Sequence, residues 1–113
     1  MKHLQFLGAA LIAFYTSISP AISQEQDIVL DNIQVWPNAS GNNVIRITTP
    51  TQSIVNNWAC ADPDSYMVLS TIEKEAQARI FATLLTAKAA NKPVTIRVQG
   101  CELGRPAIIS VYL

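Results

Sequence analysis

Pairs of carboxylates are the residues of this chain that could most directly do chemistry. Asp62 and Asp64 flank Pro63, and Glu73 and Glu75 lie farther along the chain. Two carboxyl groups at a suitable separation are the main requirement for acid–base hydrolysis of a glycosidic bond. Each pair also has a structural explanation, because aspartate is favoured at the start of a turn and glutamate near the positive end of a helix. A small carboxylate-dependent hydrolase is therefore the least favoured of the three functions that we consider for this chain. We predict no catalytic residue.

Most other kinds of catalytic or metal site lack their residues in this sequence. His3 is the only histidine, and it lies in a segment that we expect to be removed. Histidine-dependent triads and the usual zinc sites are then excluded. The four glycines do not have the spacing of a phosphate-binding loop. We predict that the protein has no metal site, uses no cofactor and is not an enzyme.

The aromatic residues offer a binding chemistry instead. Trp58 lies in an irregular stretch beside Asn56 and Asn57. An aromatic face can stack on the C–H face of a sugar ring, and amide groups can hydrogen-bond to its hydroxyls. These three residues are our candidate binding residues, with packing of Trp58 over a disulfide as the alternative. Trp36 and Tyr66 are expected to pack in the core.

The start of the chain has the three parts of a secretory signal peptide. Lys2 gives it a positive beginning, and an almost continuous apolar run of 12 residues follows over Leu4–Tyr15. Helix-breaking Pro20 then precedes small residues at Ala21 and Ser23. A membrane-spanning helix needs roughly 20 residues, so this run is too short to be a membrane anchor.

We therefore predict a signal peptide over residues 1–23 and a single secreted domain over residues 24–113, located outside the cell or in the periplasm. Seven basic and eight acidic side chains remain in that domain, which gives a formal net charge of −1. A nearly neutral domain lacks the basic surface that binds nucleic acid. It also has no polybasic segment for an anionic membrane. We expect neither kind of partner.

The two cysteines, Cys60 and Cys101, are predicted to form one disulfide. They are the only cysteines, and an exported protein encounters an oxidising compartment. A redox-active pair would normally lie closer together in sequence, and a metal site would need further cysteine or histidine ligands. A domain of this size buries a limited fraction of its surface, so a covalent link would add substantially to its stability.

Hydrophobic periodicity predicts an α+β domain with the order β-β-β-α-β-β. Alternating or β-rich runs predict strands over residues 28–36, 44–49, 65–69, 94–99 and 106–113, and a four-residue apolar repeat predicts a helix over residues 71–90. The first strand slips in pattern at Asp31–Asn32, which predicts a bulge. One amphipathic helix and five strands favour a small OB-like barrel or a curled five-stranded sheet.

The predicted helix has recognisable ends. Ser70 and Glu73 have the spacing of a capping box, in which each side chain bonds to the other residue's backbone N–H. Asn91 can cap the carboxyl end, and Pro93 prevents the helix from continuing. After the next strand, the segment Gly100–Gly104 is predicted to be a turn.

The layout resembles the B subunits of bacterial AB5 toxins of the subtilase-cytotoxin and pertussis-like kind. The resemblance depends on the leader, the single cysteine pair, the strand order, and the stretch Cys60–Leu113, in which the helix is followed by strands at Val94–Gly100 and Pro106–Leu113. It implies an OB-like barrel, a ring-shaped homo-oligomer and glycan binding. No binding residue is transferred from that family.

Our leading hypothesis is a non-catalytic secreted binding module that recognises a cell-surface glycan or a protein partner. The alternative is a periplasmic interaction or inhibitor protein without a sugar site.

Overall fold

The computed structural model describes residues 24–37 and 44–113, so the predicted leader lies outside the described residues. The elements follow in chain order: β1 Gln26–Leu30, β2 Gln34–Pro37, β3 Ile45–Thr48, β4 Tyr66–Val68, α1 Lys74–Ala90, β5 Val94–Glu102 and β6 Arg105–Tyr112. The predicted α+β class with one helix and one disulfide is confirmed. The predicted number of five strands is wrong, because the sheet has six.

The strands form one mixed sheet in the order β1-β5-β6-β4-β3-β2. β4 and β6 are parallel, and the other pairs are antiparallel. β1 and β2 occupy opposite edges, although only residues 31–33 separate them. Six strands laid flat would place those edges about 24 Å apart, whereas this connection reaches about 14 Å. The sheet must therefore curl, but it is not closed into a barrel.

The break between β1 and β2 replaces the predicted bulge at Asp31–Asn32. Ile33 turns into the core and is only 3% exposed. The Gln52 side chain bonds to the backbone at the end of the first ladder, accepting a hydrogen bond from Asp31 N–H at 2.8 Å and donating one to Val29 O at 3.0 Å. The Gln52 side-chain amide thus satisfies the backbone hydrogen-bonding groups at the end of β1, where the chain leaves one sheet edge for the other. The local sequence pattern around Asp31 gives no sign of this distant partner.

The core lies inside the curl of the sheet and is covered by α1. On β5, Val94, Ile96 and Val98 all point inward, as their alternation predicted. The buried cluster consists of Ile28, Leu30, Ile33, Ile47, Trp58, Cys60, Tyr66, Val68, Ile80, Leu84, Ala87, Val94, Ile96, Val98 and Ile108. Tyr66 is fully buried, as predicted, and its hydroxyl accepts a hydrogen bond from Val55 N–H at 2.8 Å.

The helix starts later than predicted, and the predicted capping box is wrong. Glu73 occupies the N-cap position of α1 without a side-chain cap. The Ser70 N–H and hydroxyl both donate to Glu102 Oε1, each at 2.9 Å, so Ser70 is bonded to the sheet instead. At the other end Asn91 adopts the left-handed conformation, which confirms the predicted cap. No helix among the described residues is long and apolar enough to cross a membrane.

The turn between β5 and β6 is shorter than predicted. β5 continues to Glu102, and only Leu103 and Gly104 form the loop, with φ of 51° and 80°. Two consecutive positive φ angles are typical of a type I′ hairpin turn. Gly100, with φ of 74°, lies at an irregularity in the β5–β6 register.

The disulfide between Cys60 and Cys101 is confirmed, with its Cα atoms 5.7 Å apart. It attaches the irregular segment before β4 to the end of β5.

Candidate functional site

The predicted binding residue Trp58 lies in the core. Its side chain is 7% exposed, and its indole N–H donates to the backbone carbonyl of Gln24 at 3.0 Å. That hydrogen bond joins the segment before β4 to the start of the described chain. Trp58 therefore presents little of its ring to solvent, and its observed contacts are structural.

The two predicted asparagines also make bonds within the protein. The Asn56 side chain accepts a hydrogen bond from Cys60 N–H at 2.9 Å and donates one to Cys60 O at 3.0 Å. Asn57 is exposed and donates to Gln26 Oε1 at 2.7 Å. Asn56 thus shapes the loop that holds the disulfide. The three predicted residues are neighbours in sequence, but the structure does not bring their side chains to one open surface.

Of the candidate carboxylates, Asp64 makes a strong ion pair with Arg105. Arg105 Nε lies 2.9 Å from Asp64 Oδ1, and Arg105 Nη2 lies 3.2 Å from Oδ2. These hydrogen bonds lower the pKa of Asp64 to about 2. A carboxyl group with that pKa stays ionised near neutral pH and cannot donate a proton as a general acid. Among the described residues, no three His, Cys, Asp or Glu side chains form a potential metal site.

Trp36, which we predicted to be buried, is the exposed tryptophan. Its side chain is 50% exposed and lies on the outer face of β2. The indole N–H donates to Thr48 Oγ1 at 3.0 Å, and the Thr48 hydroxyl donates in turn to Gln34 Oε1 at 2.9 Å. This hydrogen-bond chain fixes the orientation of the ring, so the indole forms a preorganised apolar platform on the sheet.

Arg46 lies directly across from Trp36 in the β2–β3 ladder and across from buried Met67 in the β3–β4 ladder. Its Nε atom is buried and has no hydrogen-bond partner among the described residues. Its charge contributes to the lowered pKa of Asp64, which is already paired with Arg105. A buried donor without a partner is uncommon in proteins. The positive charge of Arg46 lies beside Trp36 on the outer face of the sheet.

We call the outer surface formed by Gln34, Trp36, Arg46 and Thr48 the Trp36 face. It combines a flat apolar ring, a cation, a hydroxyl and an amide on two adjacent strands. Residues two apart on a strand point to the same side, so Gln34 and Trp36 share a face. The alternation of Ile33 and Val35 with these residues was a signal for the exposure of Trp36, but strand propensity and the general preference of tryptophan for burial favoured the opposite interpretation.

A cleft lies between the start of α1 and the β5–β6 turn, with a volume of about 720 Å³. We call it the helix-entry cleft. It is lined by Val44, Ser70, Ile72, Glu73, Lys74, Gln77, Glu102 and Leu103.

Comparisons of the chain with protein-family models, curated proteins and solved structures gave no match. The geometry of its own residues is therefore the basis for a functional assignment.

Proposed function

We propose that this protein is a non-catalytic secreted binding module whose Trp36 face recognises a cell-surface glycan. The observation that carries the proposal is a half-exposed indole, held in place by Thr48, directly across the β2–β3 ladder from the positively charged Arg46. A fixed and exposed aromatic ring offers a rigid apolar surface on which another molecule can stack.

The chemistry of the Trp36 face matches that of a sugar. The indole can stack on the C–H face of a pyranose ring. Arg46 supplies a positive charge, the Gln34 side chain supplies an amide that can donate and accept hydrogen bonds, and the Thr48 hydroxyl keeps one acceptor lone pair. Sugar hydroxyls need both kinds of partner. Because the hydrogen-bond chain already orients the indole, little side-chain entropy would be lost on binding.

We further propose that the curled sheet is OB-like. Three features of the topology support this proposal. β1 and β2 are consecutive in the chain and form the two opposite edges of the sheet. β4 is parallel to β6, and the helix connects β4 to β5. OB-folds bind oligosaccharides on the face of their second and third strands. Those strands correspond to β3 and β4, next to Trp36. We also propose, from the resemblance to toxin B subunits, that the protein forms a ring-shaped homo-oligomer.

Location outside the cytoplasm belongs to the same proposal. The Cys60–Cys101 disulfide is typical of proteins that fold in an oxidising compartment. Together with the predicted leader, it supports a secreted or periplasmic protein.

A periplasmic interaction or inhibitor protein is the alternative, and the same pair of residues favours it. Tryptophan and arginine are enriched among the residues that dominate the affinity of protein–protein interfaces. A protein partner would then cover Trp36 and pair with Arg46.

A glycan array with the purified, disulfide-bonded protein tests the proposal. We expect binding to at least one glycan and a loss of about tenfold or more in affinity for Trp36→Ala, since a central aromatic contact is worth about 1–3 kcal/mol. Leu85→Ala is the matched control, because Leu85 is an exposed apolar residue of α1 that lies outside the Trp36 face.

Three outcomes would count against glycan recognition at this face. The array could show no binding, or Trp36→Ala could bind as tightly as the unaltered protein, or Leu85→Ala could lose affinity equally. Capture of a purified periplasmic protein that is lost in Trp36→Ala, without glycan binding, would favour the alternative.

A further inference from the structure

The helix-entry cleft lies outside the Trp36 face and is lined by a different set of residues. Its volume of about 720 Å³ is in the range of small-ligand sites, roughly 300–1,000 Å³. We infer that it binds an aliphatic cation, meaning a protonated amine carried on a hydrocarbon chain. This inference does not depend on the proposed glycan function.

Two side chains of the cleft, Glu102 and Gln77, have oxygen atoms that can still accept hydrogen bonds. Ser70 donates twice to Glu102 Oε1, which positions this carboxylate and leaves its other oxygen without a partner among the described residues. Gln77 Nε2 donates to Ser70 O at 3.0 Å and to Ile72 O at 2.9 Å. Its donor side is thus occupied, and its carbonyl oxygen remains available. A protonated amine, which has only donors, complements such a set.

The apolar walls of the cleft come from three separate segments. Val44 precedes β3, Ile72 precedes α1, and Leu103 lies in the β5–β6 turn. Leu103 is 53% exposed and has a φ of 51°. Bulky residues avoid this left-handed conformation, and leucine gains little from an exposed position. A contact between Leu103 and a hydrocarbon chain would account for an apolar residue there.

The charges around the cleft favour a cation. Glu73 and Glu102 contribute two negative charges, and Lys74 contributes one positive charge. Lys74 forms no ion pair with either glutamate in the described part of the chain. The positive end of α1 would by itself favour an anion. An anionic probe must therefore be compared directly with a cationic one.

A nuclear magnetic resonance titration of the purified, disulfide-bonded protein separates these contributions. The probes are hexylamine, 1-hexanol and hexanoate, which share a hydrocarbon chain and differ in charge. We expect saturable shifts of the Ser70, Gln77 and Leu103 amides with hexylamine in the millimolar range, as for a ligand of few atoms. Hexanol and hexanoate should bind about tenfold more weakly or not at all, because a charge-assisted hydrogen bond is lost.

Glu102→Gln removes the charge of the carboxylate and keeps an acceptor for Ser70. We expect it to weaken hexylamine binding about tenfold. Glu75→Gln, on the first turn of α1 but outside the cleft lining, should leave binding unchanged.

The inference is overturned if hexanol binds as tightly as hexylamine, if hexanoate binds more tightly, if no probe saturates, or if Glu102→Gln binds like the unaltered protein. Glu73→Gln provides a second test, should Glu102→Gln fail to fold. Spermidine and Nα-acetyl-lysine amide then distinguish the two sources of an alkylammonium group, a free polyamine and a lysine side chain of a polypeptide, by which of them binds more tightly.

Discussion

At the residue scale, Arg105 attaches the turn before β4 to the β5–β6 hairpin. Its Nε and Nη2 atoms bond to both oxygens of Asp64, while Nη1 donates to Leu103 O at 2.8 Å. Ser65 Oγ also donates to Asp64 Oδ1 at 2.9 Å. One guanidinium group thus connects two loops that are far apart in sequence, and bidentate geometry makes this pair more specific than an ordinary surface ion pair.

The Asp64–Arg105 pair predicts a particular dependence of stability on pH. Its hydrogen bonds lower the pKa of Asp64 from the ordinary 3.8 to about 2. The pair therefore stabilises the fold fully above the ordinary pKa, and this contribution is lost as the pH falls toward about 2. We expect Asp64→Asn to lower the melting temperature near pH 6 and to have a smaller effect near pH 2, as measured by circular dichroism.

The control for that measurement is Asp31→Asn, because Asp31 forms no ion pair within the described residues. An Asp64→Asn effect that is equally large at both pH values would contradict the assigned role of the carboxylate.

The two tryptophans show how far single residues of the candidate site could be predicted. Period-two alternation puts Trp36 on the side of Gln34, and this local rule holds in the structure. The burial of Trp58 depends on a contact with Gln24, which lies 34 residues earlier and has no local signature. The burial of Arg46 Nε without a hydrogen-bond partner among the described residues was likewise not predictable, because it depends on which strands become neighbours.

At the scale of elements, the β5–β6 hairpin connects several features of the fold. Its two-residue turn places Gly104 O as the acceptor of a hydrogen bond from Asp62 N–H at 2.8 Å. Glycine is favoured at position 104 by its φ of 80°, and a Cβ atom there would lie 3.1 Å from Asp62 Oδ2, so the Asp62 side chain would have to shift slightly. Leu103 must also adopt a positive φ, but unlike glycine it has a side chain that disfavours this conformation.

Leu103→Asn should therefore stabilise the hairpin. Asparagine tolerates the left-handed conformation better than leucine, and the exposed leucine side chain loses little packing when it is replaced. We expect the free energy of unfolding to rise by about 0.5–1 kcal/mol in urea denaturation. Leu103→Val, which is β-branched, should lower it, and the reverse order of the two variants would show that the strain is not at this residue.

At the scale of the whole molecule, non-local links hold the first and last strands to β5. Arg97 on β5 pairs with Asp27 on β1 at 2.8 Å, and the Tyr112 hydroxyl on β6 donates to the same carboxylate. The hydrogen bond from Arg97 lowers the pKa of Asp27, and the carboxylate of Asp27 raises the pKa of Tyr112. The disulfide adds a covalent link at the other end of β5.

Removing the disulfide should lower the stability of the whole domain. The two cysteines are 41 residues apart, for which the chain-entropy relation gives about 4 kcal/mol. We expect the double variant Cys60→Ala, Cys101→Ala to melt more than about 10 °C below the unaltered protein. Calorimetry without reductant measures this difference. Equal melting temperatures would mean that the link does not restrict the unfolded chain.

The sequence by itself determined the α+β class, the single helix with its Asn91 cap, the inward face of β5 and the pairing of the only two cysteines. Each of these depends on local periodicity or on counting, because helices and strands repeat their contacts over a few residues. Only the tertiary structure decided that the first strand divides between two sheet edges, that Ser70 bonds to Glu102 instead of capping α1, and which tryptophan is exposed. These features depend on partners distant in the chain, and the free energy of those contacts outweighs the local preferences from which a sequence is interpreted.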